Sequence, residues 1–282
     1  MEKRVLGRTG EVLSIIGFGG ILVMDETAEE SERLVKKAIN QGINYFDVAP
    51  NYGNAQEMLG PALKPYRDDV FLACKSELRN YDGVMSDFTE SLRLLKTDHI
   101  DLYQLHAVTT DDDVDKILSK DGALKAFREL REKGVIHYIG FSAHTEEAAL
   151  RLLDNFDFDT ILFPFNWVTW NNNDFGKKLM KIAQERNLGI LALKALAKRA
   201  LAKDEEKAYP KAWYYPVETF EEAQKALRFT LSLPVTAAVT PGHEKFFDWA
   251  CEIAQDYKPL SVKDLEQLKK DATGLKPIFP ED

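Results

Sequence analysis

Cysteine is nearly absent from this chain. Cys74 and Cys251 are the only two thiols in 282 residues, too few for a disulfide framework and in keeping with a reducing compartment. There is no C-x-x-C pair and no Cys/His cluster at metal-ligand spacing, so no metal site is expected. No apolar run approaches the roughly 18 residues that a membrane span needs. The opening Met1-Glu2-Lys3-Arg4 leads into a turn rather than an apolar signal segment, and a cytoplasmic protein is expected. Positive charge is also short. Against 46 Asp and Glu stand 37 Lys and Arg, a formal net charge of -9, which argues against nucleic acid or an anionic membrane as partner. A small anionic ligand is still allowed, because local charge decides its binding. No Pro-, Gly- or Ser-rich linker divides the chain, so one domain over 1–282 is expected, as a monomer or a weak homo-oligomer.

What is there is a rhythm. Arg4-Val5-Leu6 and Val12-Leu13-Ser14 flank Gly7-Arg8-Thr9-Gly10, which reads as a hairpin. After it, short apolar runs alternate with amphipathic stretches. The strand candidates are 15–18, 43–46, 70–74, 100–105, 135–141, 160–163, 189–193 and 237–240. A first helix opens at Thr27 with Glu30 as a capping box and carries Leu34, Val35, Ala38 and Ile39 as its stripe. Further helices are expected near 55–64, 84–96, 122–133, 145–154, 174–187, 218–232 and 243–256, and a last one at 262–272. Apolar strands without alternation, each followed by a helix, imply a parallel sheet covered on its faces. Eight such units favour an α/β fold of the (β/α)8 TIM-barrel type, with an N-terminal β-hairpin and a C-terminal extra helix. Two loops exceed what a barrel needs. One is 107–121, where Asp111-Asp112-Asp113 reads as a solvated turn. The other is 197–217, carrying Trp213-Tyr214-Tyr215.

Three polar residues close three successive apolar runs: Asp47, Lys75 and His106. In parallel neighbours they leave the sheet at one edge, where barrels of this type build active sites. Tyr52 follows Asp47 by five positions, in the loop Ala49-Pro50-Asn51-Tyr52-Gly53. An acid, a cation, an imidazole and a carboxylate together make a candidate proton-transfer site. Singly, each has a plainer reading. Asp47 and Lys75 read as a structural ion pair, His106 as a satisfied core residue and Tyr52 as a loop anchor. A lyase using Lys75 as a Schiff base would need a desolvated amine, and Asp47 beside it works against that.

Asp47-x-Ala49-x-x-Tyr52-Gly53, with Lys75 and His106 at the next two strand ends, resembles the aldo-keto reductases. So do Arg4 to Gly10, Lys96-Thr97-Asp98-His99-Ile100-Asp101-Leu102-Tyr103, Gly140-Phe141-Ser142 and Pro241-Gly242. The resemblance implies hydride transfer from NAD(P)H to an aldehyde or ketone. Tyr52 would be the proton donor, Lys75 would ease its ionisation, Asp47 would hold Lys75 charged, and His106 would orient the carbonyl. The cofactor implied is NADP, with NAD possible. Its contacts are expected at Gly19, Ser142, His144, Asn166, Lys194, Gly242, His243 and Lys245, with Trp167 and Trp213 toward a small carbonyl substrate. Some positions depart from the family. Ala143 stands where asparagine is common, Leu162 where glutamine is common, and Leu193-Lys194-Ala195-Leu196 resembles the subgroup with a Met-Lys-Pro-Leu-like segment. Glu244 opposes a 2′-phosphate and Lys245 favours one. The departures leave a second reading, a nicotinamide-binding sensor or partner-binding barrel with little turnover.

Overall fold

The computed structural model describes residues 1–279. A hairpin of β1 (Lys3–Val5) and β2 (Val12–Ser14) opens the chain, joined by a 3-10 turn over Gly7–Thr9. Then come β3 (Ile16–Gly19), β4 (Tyr45–Asp47), β5 (Phe71–Ser76), β6 (Ile100–Val108) and β7 (Ile136–Ala143). They are followed by β8 (Thr160–Phe163) and β9 (Gly189–Ala192), an antiparallel ribbon of β10 (Ala197–Ala200) and β11 (Tyr214–Pro216), and β12 (Ala237–Val239). Strands β3 to β9 pair in parallel in sequence order, and β12 closes the barrel between β9 and β3. All eight expected barrel strands are present.

The helices pack outside: α1 (Ala28–Asn40), α2 (Ala55–Leu63), α3 (Tyr81–Leu95), α4 (Asp111–Leu118), α5 (Ala123–Glu132) and α6 (Glu146–Asn155). Next come α7 (Trp167–Asn172), α8 (Lys177–Glu185), α9 (Phe220–Ser232), α10 (Glu244–Gln255) and the extra α11 (Val262–Ala272). Their ends follow capping chemistry. Thr27 accepts from the Glu30 N–H at the start of α1, and Ser261 and Asp264 cap each other's backbone at α11. The acidic triplet 111–113 corrects the expected turn. It is the first turn of α4, with Thr110 and Asp113 forming a capping box. Three carboxylates at the positive end of a helix dipole are stabilising there. Helix α7 was not foreseen, and the loop 197–217 contains the β10–β11 ribbon.

Alternation along the strands explains the interior. Tyr45, Ala73, Leu102, Leu191 and Ala237 form one buried cluster inside the barrel, and Leu6 and Leu13 of the opening segment join it. The hairpin thus plugs the floor, each fully buried leucine contributing about 2 kcal/mol by leaving water. Gly17 has no side chain because the Tyr45 ring fills that space; a Cβ there would lie 2.5 Å from it. Two residues further along each strand the same face reaches the barrel's mouth.

Candidate active site

The mouth is a cavity of about 360 Å³. At or just past its C-terminal end, each barrel strand sends one inward residue to the lining: Gly19, Asp47, Lys75, His106, Ser142, Leu162, Leu193 and Val239. Tyr52 joins them from the loop after β4. The four residues singled out for proton transfer are therefore together. Lys75 Nζ donates to Asp47 Oδ1 and, at 3.3 Å, to the Val48 carbonyl oxygen. It stands 5.4 Å from the centre of the Tyr52 ring. The Tyr52 and His106 rings meet edge to face, 5.8 Å apart.

The electrostatics assign protonation states. Burial works against the charge of Lys75, but the fields of Asp47 and Tyr52 overcome it, so the ammonium is held above its ordinary range. Burial raises the Tyr52 phenol above 10, and the charge of Lys75 offsets this only in part. The phenol therefore keeps its proton at neutral pH. Lys75 lowers this group, as the sequence reading expected, but burial is the larger effect. Burial, and then the charge of Lys75, push His106 well below its usual value, so its ring is neutral with one N–H to give. His106 Nδ1 is buried without a partner; the nearest carboxylate, Glu77, is 3.7 Å away.

The local backbone aims His106. The register of β6 against β7 slips between Leu105 and Val108, and Ala107 adopts φ 51°. Such a bulge re-aims a side chain at a barrel rim. Ser142 Oγ accepts from the Ala107 N–H at 2.8 Å and holds the bulge.

Sequence reasoning passed over two further residues. Gln104 Nε2 donates to Asp47 Oδ2 at 3.0 Å, and the Tyr45 hydroxyl donates to the same oxygen at 3.3 Å. Both are fully buried. A signal existed: each lies two positions before a singled-out residue on the same strand, so each shares its inward face. Asn51, whose amide donates to Glu77 at 2.6 Å, was also passed over.

The residues expected around a cofactor divide. Gly19, Ser142, His144, Lys194 and Gly242 line the main cavity, and Trp213 stands half-exposed at its rim. A second cavity of about 270 Å³ meets the first at Lys211, Tyr214, Pro241 and Gly242 and runs between α1 and the start of α10. Lys211 spans this junction, donating to Glu26 at 2.8 Å and to the Leu22 carbonyl at 3.0 Å. No sequence signal marked Lys211.

Four expected residues turn elsewhere. Asn166 is buried and fully engaged: its oxygen caps α7 and its amide donates to the carbonyls of Lys194 and Ala197. Trp167 is buried, with its indole N–H on the Ala197 carbonyl. His243 borders the second cavity and caps α10 with its own ring, Nδ1 accepting from Lys245 N–H. The Lys245 ammonium donates to the Tyr209 hydroxyl and lies 4.4 Å from the Trp249 ring centre.

The chain was compared with known proteins. Residues 15–265 match the aldo/keto reductase family. Oxidoreductase YqkF of Bacillus subtilis (strain 168) is 28% identical over 279 residues, covering 87% of this chain and 88% of that protein. L-galactose dehydrogenase of Arabidopsis thaliana is 26% identical over 242 residues, 80% of this chain and 74% of the relative. Among solved structures, the holo form of aldo-keto reductase AKR11C1 from Bacillus halodurans superposes with a TM-score of 0.76 at 24% identity, covering 98% of both chains. That likeness speaks for the fold. The family match over residues 15–265, on a barrel whose mouth gathers a phenol, an ammonium, an imidazole and a carboxylate, means that the chain belongs to the aldo/keto reductase family, the NAD(P)H-dependent oxidoreductases of carbonyl compounds.

Proposed function

We propose that the protein reduces an aldehyde or ketone at the barrel's mouth, with Tyr52 giving the proton. One observation carries this: the Lys75 ammonium, clamped by Asp47, stands 5.4 Å from the centre of the Tyr52 ring. The test is Tyr52→Phe. Turnover is lost while nicotinamide-cofactor binding is retained; unchanged turnover would remove the assignment.

The chain's own residues prepare the reaction. A carbonyl oxygen lying between Tyr52 and His106 accepts from both. The neutral His106 orients it with its one N–H and leaves proton donation to Tyr52. A nicotinamide cofactor, when bound here, would supply the hydride. As negative charge gathers on the carbonyl oxygen, the Tyr52 O–H passes its proton to it. The tyrosinate left behind rests against the Lys75 ammonium. Asp47 cannot release Lys75 from that charge, because Gln104 and Tyr45 fix its other oxygen. Leu162, Leu193 and Val239 give an apolar bed on the opposite side of the mouth.

The residues fit a nicotinamide dinucleotide. Gly19 and Gly242 let neighbouring segments pack closely at the lining: a Cβ on Gly19 would lie 2.1 Å from the Thr240 carbonyl oxygen, and one on Gly242 2.9 Å from Lys211 Cβ. Ser142 and His144 offer polar atoms on the nicotinamide side. The second cavity suits the adenosine half. Glu26, Glu30 and Glu244 border it, paired with Lys211, Arg33 and Lys37, and Lys245 is turned onto Tyr209 and Trp249. Carboxylates accept from a ribose diol. The resemblance implied NADP with NAD possible, Lys245 favouring a 2′-phosphate and Glu244 opposing it; with Lys245 turned away, we read this lining as favouring NADH. Fluorescence titration with both cofactors decides it, and tighter binding of NADPH overturns the preference. A cytoplasmic location fits two free thiols, and no described helix is long and apolar enough to cross a membrane.

A further inference from the structure

Lys194 is a charged residue at the mouth that this mechanism leaves unused. It follows β9 and lines the main cavity. No carboxylate among the described residues lies within ion-pairing distance of it. Its ammonium stands 5.1 Å from the ring centre of Trp213 and 5.5 Å from that of Phe279. An aromatic cage of this kind holds a cation in place without neutralising it.

The backbone is also built for this position. Lys194 adopts φ 62°, a conformation that side chains with a Cβ rarely take. Asp25, Lys96, Ala107, Asp174, Asn187 and Asp204 share the left-handed region. Those other than Asn or Asp are Lys96, which ends α3, and Ala107 and Lys194, which both line the mouth. The buried Asn166 amide clamps the Lys194 carbonyl at 2.9 Å. Strain held by a dedicated buried partner marks functional positions.

We infer that Lys194 anchors an anionic group on the substrate, so that the carbonyl compound reduced here carries a carboxylate or a phosphate. This rests on the reductase reading above. Lys194 lines the main cavity and is absent from the lining of the second one, which would carry the adenosine half of the cofactor. The Phe279 ring beside it packs on His144, which follows β7, and on Phe175, which follows α7. Burial, and then the charge of Lys75, lower Lys194 to about 7. An entering anion would relieve that penalty and restore the full charge.

The experiment compares 4-carboxybenzaldehyde with its neutral methyl ester, in the wild type and in Lys194→Met and Lys194→Arg. A simple phosphorylated aldehyde, glyceraldehyde 3-phosphate, separates the two anions. Cofactor affinity is followed by fluorescence, and direct binding of each aldehyde by quenching of tryptophan emission. The expected result is a KM for the carboxylated or phosphorylated aldehyde at least about tenfold higher in Lys194→Met, since a hydrogen bond to a charged group is worth about that. The ester and the cofactor Kd change less than about threefold, and Lys194→Arg recovers part of the preference. An equal loss on ester and acid, or a weakened cofactor with unchanged substrate discrimination, overturns the inference and returns Lys194 to packing or to a cofactor phosphate. If the wild type reduces no aldehyde yet binds the acid in a Lys194-dependent way, the reductase reading fails and the anchor stands. If it reduces the ester as well as the acid, the anchor fails and the reductase reading stands.

Discussion

The ring of eight residues at the barrel's mouth has two unlike halves. From β4 to β7 it reads Asp47, Lys75, His106 and Ser142; from β8 through β12 to β3 it reads Leu162, Leu193, Val239 and Gly19. The polar half is over-determined. Asp47 alone is held by Lys75, Gln104 and Tyr45, and the bulge that aims His106 is pinned by Ser142. The apolar half has no such network and offers shape. One scaffold thus separates two tasks: moving a proton needs charges fixed in a dry site, and seating a flat ring needs an apolar bed.

The largest break in this comparison is on the polar side. Tyr52→Phe removes the proton and keeps the ring. Turnover falls by about a thousandfold, within the usual share of a positioned general acid, and the cofactor Kd stays within about twofold. Steady-state rates with a titration of cofactor fluorescence read both. A similar loss of affinity would mean that Tyr52 belongs to the bed instead.

Next in size is Lys75→Met. It leaves the Asp47 charge buried without its partner, and breaking such a pair costs about 3–5 kcal/mol. Adding Asp47→Asn removes the orphaned charge and returns most of that stability without restoring turnover. Denaturant melts of the two single variants and the double variant measure the coupling. Recovery of turnover in the double variant would show that the pair is structural only.

Gln104→Leu probes the support behind the pair. It strips one donor from Asp47 Oδ2, so Asp47 loses its fixed orientation. Turnover falls about tenfold, and the alkaline limb of the rate profile moves, because the field on Tyr52 changes. A purely structural role would lower the melting temperature and leave that limb in place. On the apolar side, Leu162→Gln adds an amide to the bed. Cofactor binding tightens a few-fold and turnover barely changes. Weaker binding would show that the bed works by being apolar.

The two halves also differed in how far they could be read from sequence. Asp47, Lys75 and His106 stood out because each ended an apolar run, and parallel neighbouring strands bring all three run ends to one edge of the sheet. Tyr45 and Gln104 carried the same parity but were absorbed as strand interior. On the other half the errors share one cause. Helix α7 is six residues, Trp-Val-Thr-Trp-Asn-Asn, too short to show a 3.6-residue period. Without it, Asn166 and Trp167 looked like loop residues facing the mouth, when they are the cap and first turn of a helix. His243 misled in a similar way. A helix start was read correctly, but the imidazole takes one of the N–H groups that an anion would have used. Sequence gives the positions of helix ends more readily than the partner each end has chosen.

The smallest effect is the sharpest comparison, because it sets two lysines of one cavity against each other. Lys75 has a carboxylate and is raised above its ordinary value. Lys194 has none and is lowered from 10.5 to about 7. From pH 7 to about 10 the unfolded chain keeps a proton on Lys194 that the folded chain has released. Stability then rises with pH in that window. Lys75 has the opposite sign: its stabilisation is complete below its unfolded value and is lost as pH climbs through the higher folded one. Lys194→Met should therefore flatten the rise between pH 7 and 10, measured by denaturant unfolding at each pH. On the acid side His144, lowered to about 3 by burial and by Lys194, takes its proton only on unfolding, so stability falls as pH drops below about 6.5. Replacing Lys194 removes one of the two causes of that shift, and the acid slope becomes shallower in the same variant. A variant that changes neither slope would show that the cavity wets Lys194 enough to leave it an ordinary surface cation.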